Sequence, residues 1–253
     1  MLIEGRIFAF LFVTLFYLAM VYVNNRLKSG KASIGLAHLP VFDALNEGVC
    51  RAAEMGRPVH YTFGAGVMDA SVFASFKVLG YVADKCAEMD VRLIVSVSLP
   101  EEQVIAQEIL SGSYSAADPA NRGRGSVRYL SSGFAYTTGV LSLIAKERPA
   151  ANFALGSFFN ESLLIPVAGK MVGALQIGGT AVTIQAPFLV ATCDYSLIGE
   201  DLMAAGAYLS ENPIEKSAVF LQDVAKVASI FLSIMGCLLS AFGYCWITDL
   251  LTL

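Results

Sequence analysis

The sequence predicts an α/β protein: a Rossmann-like three-layer sandwich with a mostly parallel sheet, flanked by N- and C-terminal transmembrane helices. Three observations lead there. Short apolar, β-branched runs alternate with helical patterns through the middle of the chain, as in a sheet buried on both faces. Each end carries a long run without a formal charge. Hydrophobic residues make up 56% of the 253 residues and charged ones 15%, against roughly 45–50% and 25% in soluble domains.

The first uncharged run, Ile7–Val23, has 17 residues, at the short end of what spans a bilayer. Tyr17 and Tyr22 suit an interface, and Asn24 and Asn25 mark the exit. A cleaved signal peptide would need a cationic start and a small-x-small site. The chain offers Glu4, Arg6 and "AMVYVNNR" instead, so a permanent anchor is expected. The second run, Val227–Thr248, has 22 residues and no charge, enough to span with some tilt. Small residues recur along it at Ser229, Ser233, Gly236, Ser240 and Gly243, a stripe that lets helix backbones approach in lipid. Arg26, Lys28 and Lys31 follow the first run. The positive-inside rule then places the middle of the chain in the cytoplasm of a two-pass cell-membrane protein, with both termini outside. The organisation expected is a transmembrane helix over 7–23, a cytoplasmic α/β domain over 33–220 and a second transmembrane helix over 227–248.

Within the domain, "LPVFDALNEGVCRAAEMG" reads as a helix opened at Pro40 and stopped at Gly56, with Val41, Ala44, Leu45, Val49 and Ala52 on one side. "PVHYTFGAG" is a short strand closed by a glycine-rich turn, and the helix after it starts at Asp69 as N-cap. "VRLIVSVS" is the clearest strand. Ser98-Leu-Pro-Glu reads as a capping box leading into the helix "EEQVIAQEILSG". The segment Ser111–Gly125 is polar and is expected as an exposed loop. Then come the strand "SVRYLSS", the helix "AYTTGVLSLIAKE" stopped by Pro149, the strand "NFALGSF", the helix "ESLLIPVAGKMVGA" with a possible kink at Pro166, and the strand "LQIGG". "APFLVATC" is read as the last strand and "YSLIGEDLMAAGAYLSE" as the last helix. The stretch Leu175–Gly199 is nearly uncharged; it is expected to supply core and a subunit interface, with Gly178, Gly179 and Gln185 allowing close backbone approach.

Chemistry is sparsely marked. Five cysteines (Cys50, Cys86, Cys193, Cys237 and Cys245) form no CxxC pair, and His38 and His60 are the only histidines. A standard zinc site and a disulfide framework are both disfavoured, which fits a reducing compartment. His60, in an apolar run, reads as a core residue before it reads as a base, and no motif supports Ser71, Ser157 or Cys193 as nucleophiles. "TFGAGVMDAS" resembles a phosphate-binding turn through Gly64 and Gly66, but Asp69 stands where a third glycine belongs and would repel a pyrophosphate. Gly64, Gly66, Asp69, Asn160, Glu161 and Asp194 are the candidate ligand-binding residues, because all fall near expected strand C-termini or helix starts. Ser98 shares that position. Capping alone would equally explain the acids and amides. Arg122, Arg124 and Arg128 form a basic cluster that reads first as a solvated loop and second as an anion site. No catalytic or metal residue and no cofactor is assigned. A net charge of −4 gives no field for nucleic acid.

The runs "LPVFDALNEGVCRAAEMGRPVHYTFGAG" and "IGGTAVTIQAPFLVATCDYSLIGEDLMAAGAYLS" resemble an uncharacterised prokaryotic family of membrane-anchored proteins, designated a domain of unknown function, over about Leu39 to Lys226. The resemblance implies a membrane-anchored cytoplasmic domain and carries over no catalytic residue. The function expected is a membrane-anchored, self-associating structural or scaffold protein, more a non-enzyme than an enzyme. Its partners would be the lipid bilayer and further copies of itself. A small-ligand sensor or enzyme using the sheet's C-terminal edge is the alternative, as is an accessory subunit of a larger membrane complex. Transport fits least, since neither run holds an Asp, Glu, Lys, Arg or His to mark a pathway.

Overall fold

A computed structural model describes residues 40–117, 124–131 and 133–209, with scattered helical positions in the flanking segments: 14, 16–18, 21–22 and 25, then 222, 224–227, 229–231, 233–234 and 237. The chain divides into two compact units, His38–Leu209 and the flanking segments Met1–Ala37 with Ser210–Leu253. Among the described residues no helix is long and apolar enough to cross a membrane. The two uncharged runs lie for the most part outside those residues, and so do Gly236, Ser240 and Gly243. Ser229 and Ser233 are described as helical, and their hydroxyls donate back to Ala225 O and Ser229 O, each at 2.8 Å.

The unit His38–Leu209 alternates helix and strand throughout: α1 Pro40–Met55, β1 Val59–Thr62, α2 Ala70–Glu88, β2 Leu93–Val97, α3 Pro100–Ala117, β3 Gly125–Tyr129, α4 Phe134–Glu147, β4 Ala151–Leu155, α5 Glu161–Met171, β5 Leu175–Thr180, α6 Ala186–Thr192, β6 Tyr195–Ile198 and α7 Glu200–Leu209. Every strand pairing is parallel, in the order β3-β2-β1-β4-β5-β6. This is the doubly wound order, with its reversal between β1 and β4.

Strand alternation separates two faces. On one, Tyr61, Phe63, Val95, Phe153, Leu155 and Ile177 join side chains of α1, α2, α3 and α7 in a large apolar core. All five apolar positions expected along α1 are buried there. The other face is split. Tyr136, Val140, Ile144 and Ile165 form one small cluster beneath α4 and α5, and Ala154, Phe158 and Leu189 form another beneath α6. Between these clusters the central strands carry polar side chains.

Three expectations change. "APFLVATC" is helix, not strand, and the last strand is the following Tyr195–Ile198. Pro187 sits in the first turn of α6, where its missing N–H costs nothing; an interior strand would lose a ladder bond there. The polar segment from Ser111 stays helical to Ala117, because Tyr114 is buried in the main core and donates its hydroxyl to Val91 O at 2.6 Å. Finally, the cap of α3 is made by Glu102 rather than Glu101. Its carboxylate accepts from Ser98 N at 3.0 Å and Leu99 N at 3.2 Å, so the box is shifted by one residue.

Candidate functional site

Ligands of doubly wound sheets bind outside the strand C-termini, where the order reverses. Here that edge is made by the turn after β1 (Phe63–Asp69) and the turn after β4 (Gly156–Asn160). The two turns are stitched together. Ser157 N donates to Phe63 O and Gly66 N to Ser157 O, both at 2.9 Å. Gly64 has a φ of +88°, and a Cβ there would collide with Ser157 O; a Cβ on Gly66 would collide with the Ser157 side chain. Glycine is therefore required at both positions by close approach of the second turn.

The anion-binding capacity of this edge is consumed internally. Gly64 N donates to Thr62 Oγ1 at 3.2 Å, and Ala65 N to Glu161 Oε1 at 2.7 Å. The same Glu161 oxygen accepts from Phe159 N at 3.0 Å. At the start of α2, Asp69 Oδ1 accepts from Ser71 N at 2.9 Å and Val72 N at 3.2 Å, and also from the Ser71 hydroxyl. A bound phosphate would need these same donors. Two resident carboxylates already hold most of them.

The structure thus brings together Gly64, Gly66, Asn160 and Glu161 at the switch point and places Asp69 at the adjoining helix start. Asn160 is exposed and precedes α5 without a side-chain cap bond. Asp194 belongs elsewhere. With β6 starting at Tyr195, it lies at the opposite, N-terminal edge of the sheet, where it accepts from Gln176 N at 2.8 Å and pairs with Lys170 at 3.6 Å. Its expected position followed from the misassigned strand. Ser98, at the end of β2, belongs to the α3 cap. In the basic cluster, Arg124 pairs with Asp90 at 2.9 Å, Arg128 lies on edge strand β3, and Arg122 is outside the described residues. Among the described residues no three metal-ligating side chains converge. Gly178 and Gly179 lie in fully buried β5, and a Cβ on Gly178 would stand 2.5 Å from Cys193 Sγ. Their close approach is to their own chain. Burial pushes the Cys193 thiol up to about 12, far from a nucleophile's range.

Sequence reasoning missed what fills the polar face. Gln176 Nε2 donates to Ala174 O at 2.9 Å, and that carbonyl can only accept. Gln176 Oε1 therefore accepts from Asn152 Nδ2 at 2.6 Å. Asn152 Oδ1 in turn accepts from His60 Nδ1–H at 2.7 Å. Nε2 is left as the acceptor for the Ser96 hydroxyl at 2.8 Å. One backbone carbonyl so sets the direction of a chain crossing β2, β1, β4 and β5. All four side chains are fully buried. Burial lowers the His60 pKa to about 4, against the Asn152 bond that raises it, which agrees with the neutral tautomer this chain demands. A second chain runs from Gly64 N to Thr62 Oγ1, on to the Tyr136 hydroxyl, and ends at Ser96 O at 3.2 Å. The signal available was His60, Asn152 and Gln176 at matching places in three apolar strands. Arg57 was also missed: it donates to Arg148 O at 2.5 Å, Pro149 O at 3.2 Å and Val172 O at 2.9 Å, tying together the ends of α4 and α5.

Fold and edge together define a doubly wound α/β protein whose switch-point turn is occupied by its own acceptors. Over residues 1–251 the chain matches the family described as domain of unknown function DUF6754, and it belongs to that family. No curated protein and no solved structure matches it.

Proposed function

We propose that this is a membrane-anchored, self-associating structural protein, with the α/β unit on the cytoplasmic face and both short tails outside. The observation that carries the reading is the pair of uncharged terminal runs, 17 and 22 residues long, which match bilayer-spanning lengths. Two anchors on one small unit confine copies to a plane and raise their effective concentration. The switch-point donors held by Glu161, Asp69 and Ser157 favour a structural role over ligand chemistry at that edge. The stripe Ser229, Ser233, Gly236, Ser240 and Gly243 would pack helix on helix within the bilayer. Closed homo-oligomers are the common outcome of such association, and a subunit of a larger membrane complex would use the same anchors.

Alkaline carbonate extraction of membranes tests the anchoring. The chain stays in the pellet; release into the wash sinks the reading. Native mass spectrometry in mild detergent tests the association, and a monomer at every concentration counts against it.

A further inference from the structure

We infer that the N-terminal edge of the sheet is the face this unit turns to the bilayer, with Arg57, Lys146 and Arg148 set against anionic lipid headgroups. The inference rests on the anchoring proposed above and names the surface that meets the lipid.

Charge is sorted along the strand axis. Among the described residues, the turns after strands and the first turns of the helices they enter hold Asp69, Glu101, Glu102, Glu161, Glu200 and Asp201, and no lysine or arginine. Cations gather at the other edge, in the last turns of helices and the turns that lead into strands. Helix dipoles favour this division, because the helices of a doubly wound fold start at one edge and end at the other.

The cations of the N-terminal edge outnumber what its acids pair with. Glu88 is held by Lys85, Asp90 by Arg124, Glu147 by Arg92 and Asp194 by Lys170. Among the described residues, Arg57, Lys146 and Arg148 form no ion pair, and Glu54 is the one acid of this edge left over. Arg57 sets two of the turns side by side, donating to Arg148 O and Pro149 O in one and to Val172 O in the other. Carbonyls satisfy its hydrogens, but no carboxylate answers its charge. Lys146 and Arg148 are exposed. Met55 and Met171, close in sequence to Arg57 and Val172, are exposed as well.

Unpaired cations beside exposed apolar side chains are what an anionic leaflet holds. The opposite edge would offer that leaflet only like charge. The tether permits either edge to face the lipid. Residues 24–39 and 210–226 separate the unit from the uncharged runs, and a chain of either length reaches about 50 Å when extended, enough to pass around a unit of this size. Charge therefore chooses the edge.

The test uses the full-length chain in lipid discs of phosphatidylcholine alone, or of equal parts phosphatidylcholine and phosphatidylserine. Lysine labelling by an uncharged, water-soluble amine reagent is read by mass spectrometry. Lys146 should label at least about threefold more slowly in the anionic discs, and high salt should restore the rate. Lys77, within α2, should keep one rate throughout. In Arg148→Glu the slowing of Lys146 should at least about halve. Thermal melting checks that this variant is folded; should it melt early, Arg148→Gln takes its place. Equal Lys146 labelling in the two kinds of disc overturns this surface and leaves the anchoring standing. So does undiminished slowing in a folded variant, or equal slowing at Lys77. Slowing that follows the number of copies per disc and not phosphatidylserine gives the edge to a second copy and overturns the lipid contact. Release of the chain by alkaline carbonate overturns the proposed function itself.

Discussion

His60 makes the protein's acid response predictable. Its pKa is about 4 in the fold and near 6.5 when the chain is unfolded. Between those values the unfolded state binds more protons, so stability rises with pH across that window. It is complete above about pH 6.5 and is lost as the pH falls towards about 4, by at most about 3 kcal/mol. Glu102 acts in the opposite sense. Burial raises its pKa, so the folded state takes up that proton first and regains some stability on acidification. Denaturant unfolding at about pH 7 and pH 5 should show a smaller difference in His60→Gln than in wild type; equal differences would exonerate the imidazole. Gly64→Ala should cost at least about 2 kcal/mol, because positive φ and the Ser157 carbonyl both oppose a methyl group. A thermal melt reads that directly. The pattern alone marked Gly64 and Gly66 as a glycine-rich turn closing a strand, with no sign that a second backbone packs against it. It did not show that the other backbone is the turn after β4, since that contact spans some ninety residues.

Among the elements, helix starts carry the next two expectations. Glu102→Ala should cost about 1–3 kcal/mol, since two backbone N–H groups lose their acceptor in a buried place. Glu101→Ala should stay within about 0.5 kcal/mol. Equal costs would restore the capping box read from Ser98-Leu-Pro-Glu. Asp69→Ala should cost about 1–2 kcal/mol as an N-cap and leave phosphate binding, measured by calorimetry, as weak as in wild type. Tight phosphate binding by wild type, lost in that variant, would reopen the ligand reading. Most elements were legible because apolar runs and caps point the same way. The failure at "APFLVATC" has a physical source: a short apolar run satisfies a buried strand and a buried helix equally. Pro187 and the bounded "DYSLIG" were the local clues that could have decided it. The extension of α3 through Ser111–Ala117 was hidden for another reason. Serine and glycine speak for a loop locally, and only the tertiary burial of Tyr114 outweighs them.

For the whole molecule, strand order was beyond reach of the residue pattern, because alternation of β and α fixes parallel pairing and not which strands adjoin. The polar row across β2, β1, β4 and β5 depends on that order and was equally hidden. If planar confinement drives assembly, the chain reconstituted in bilayers should associate at bulk concentrations where the same chain in excess detergent is monomeric. Cross-linking yields in the two settings measure this, and identical yields would show that the anchors add nothing. The row also has a bearing on how the sheet finds its alignment. Valine, alanine and leucine adhere almost equally well wherever β4 halts beside β1. Slide β4 by one position, however, and Ala151 or Phe153 takes the place of Asn152 opposite His60. The imidazole and two carboxamides are then stranded in a dry interior at a single stroke. Grease makes these strands stick, and four polar side chains passing hydrogens in one direction tell them where to stop.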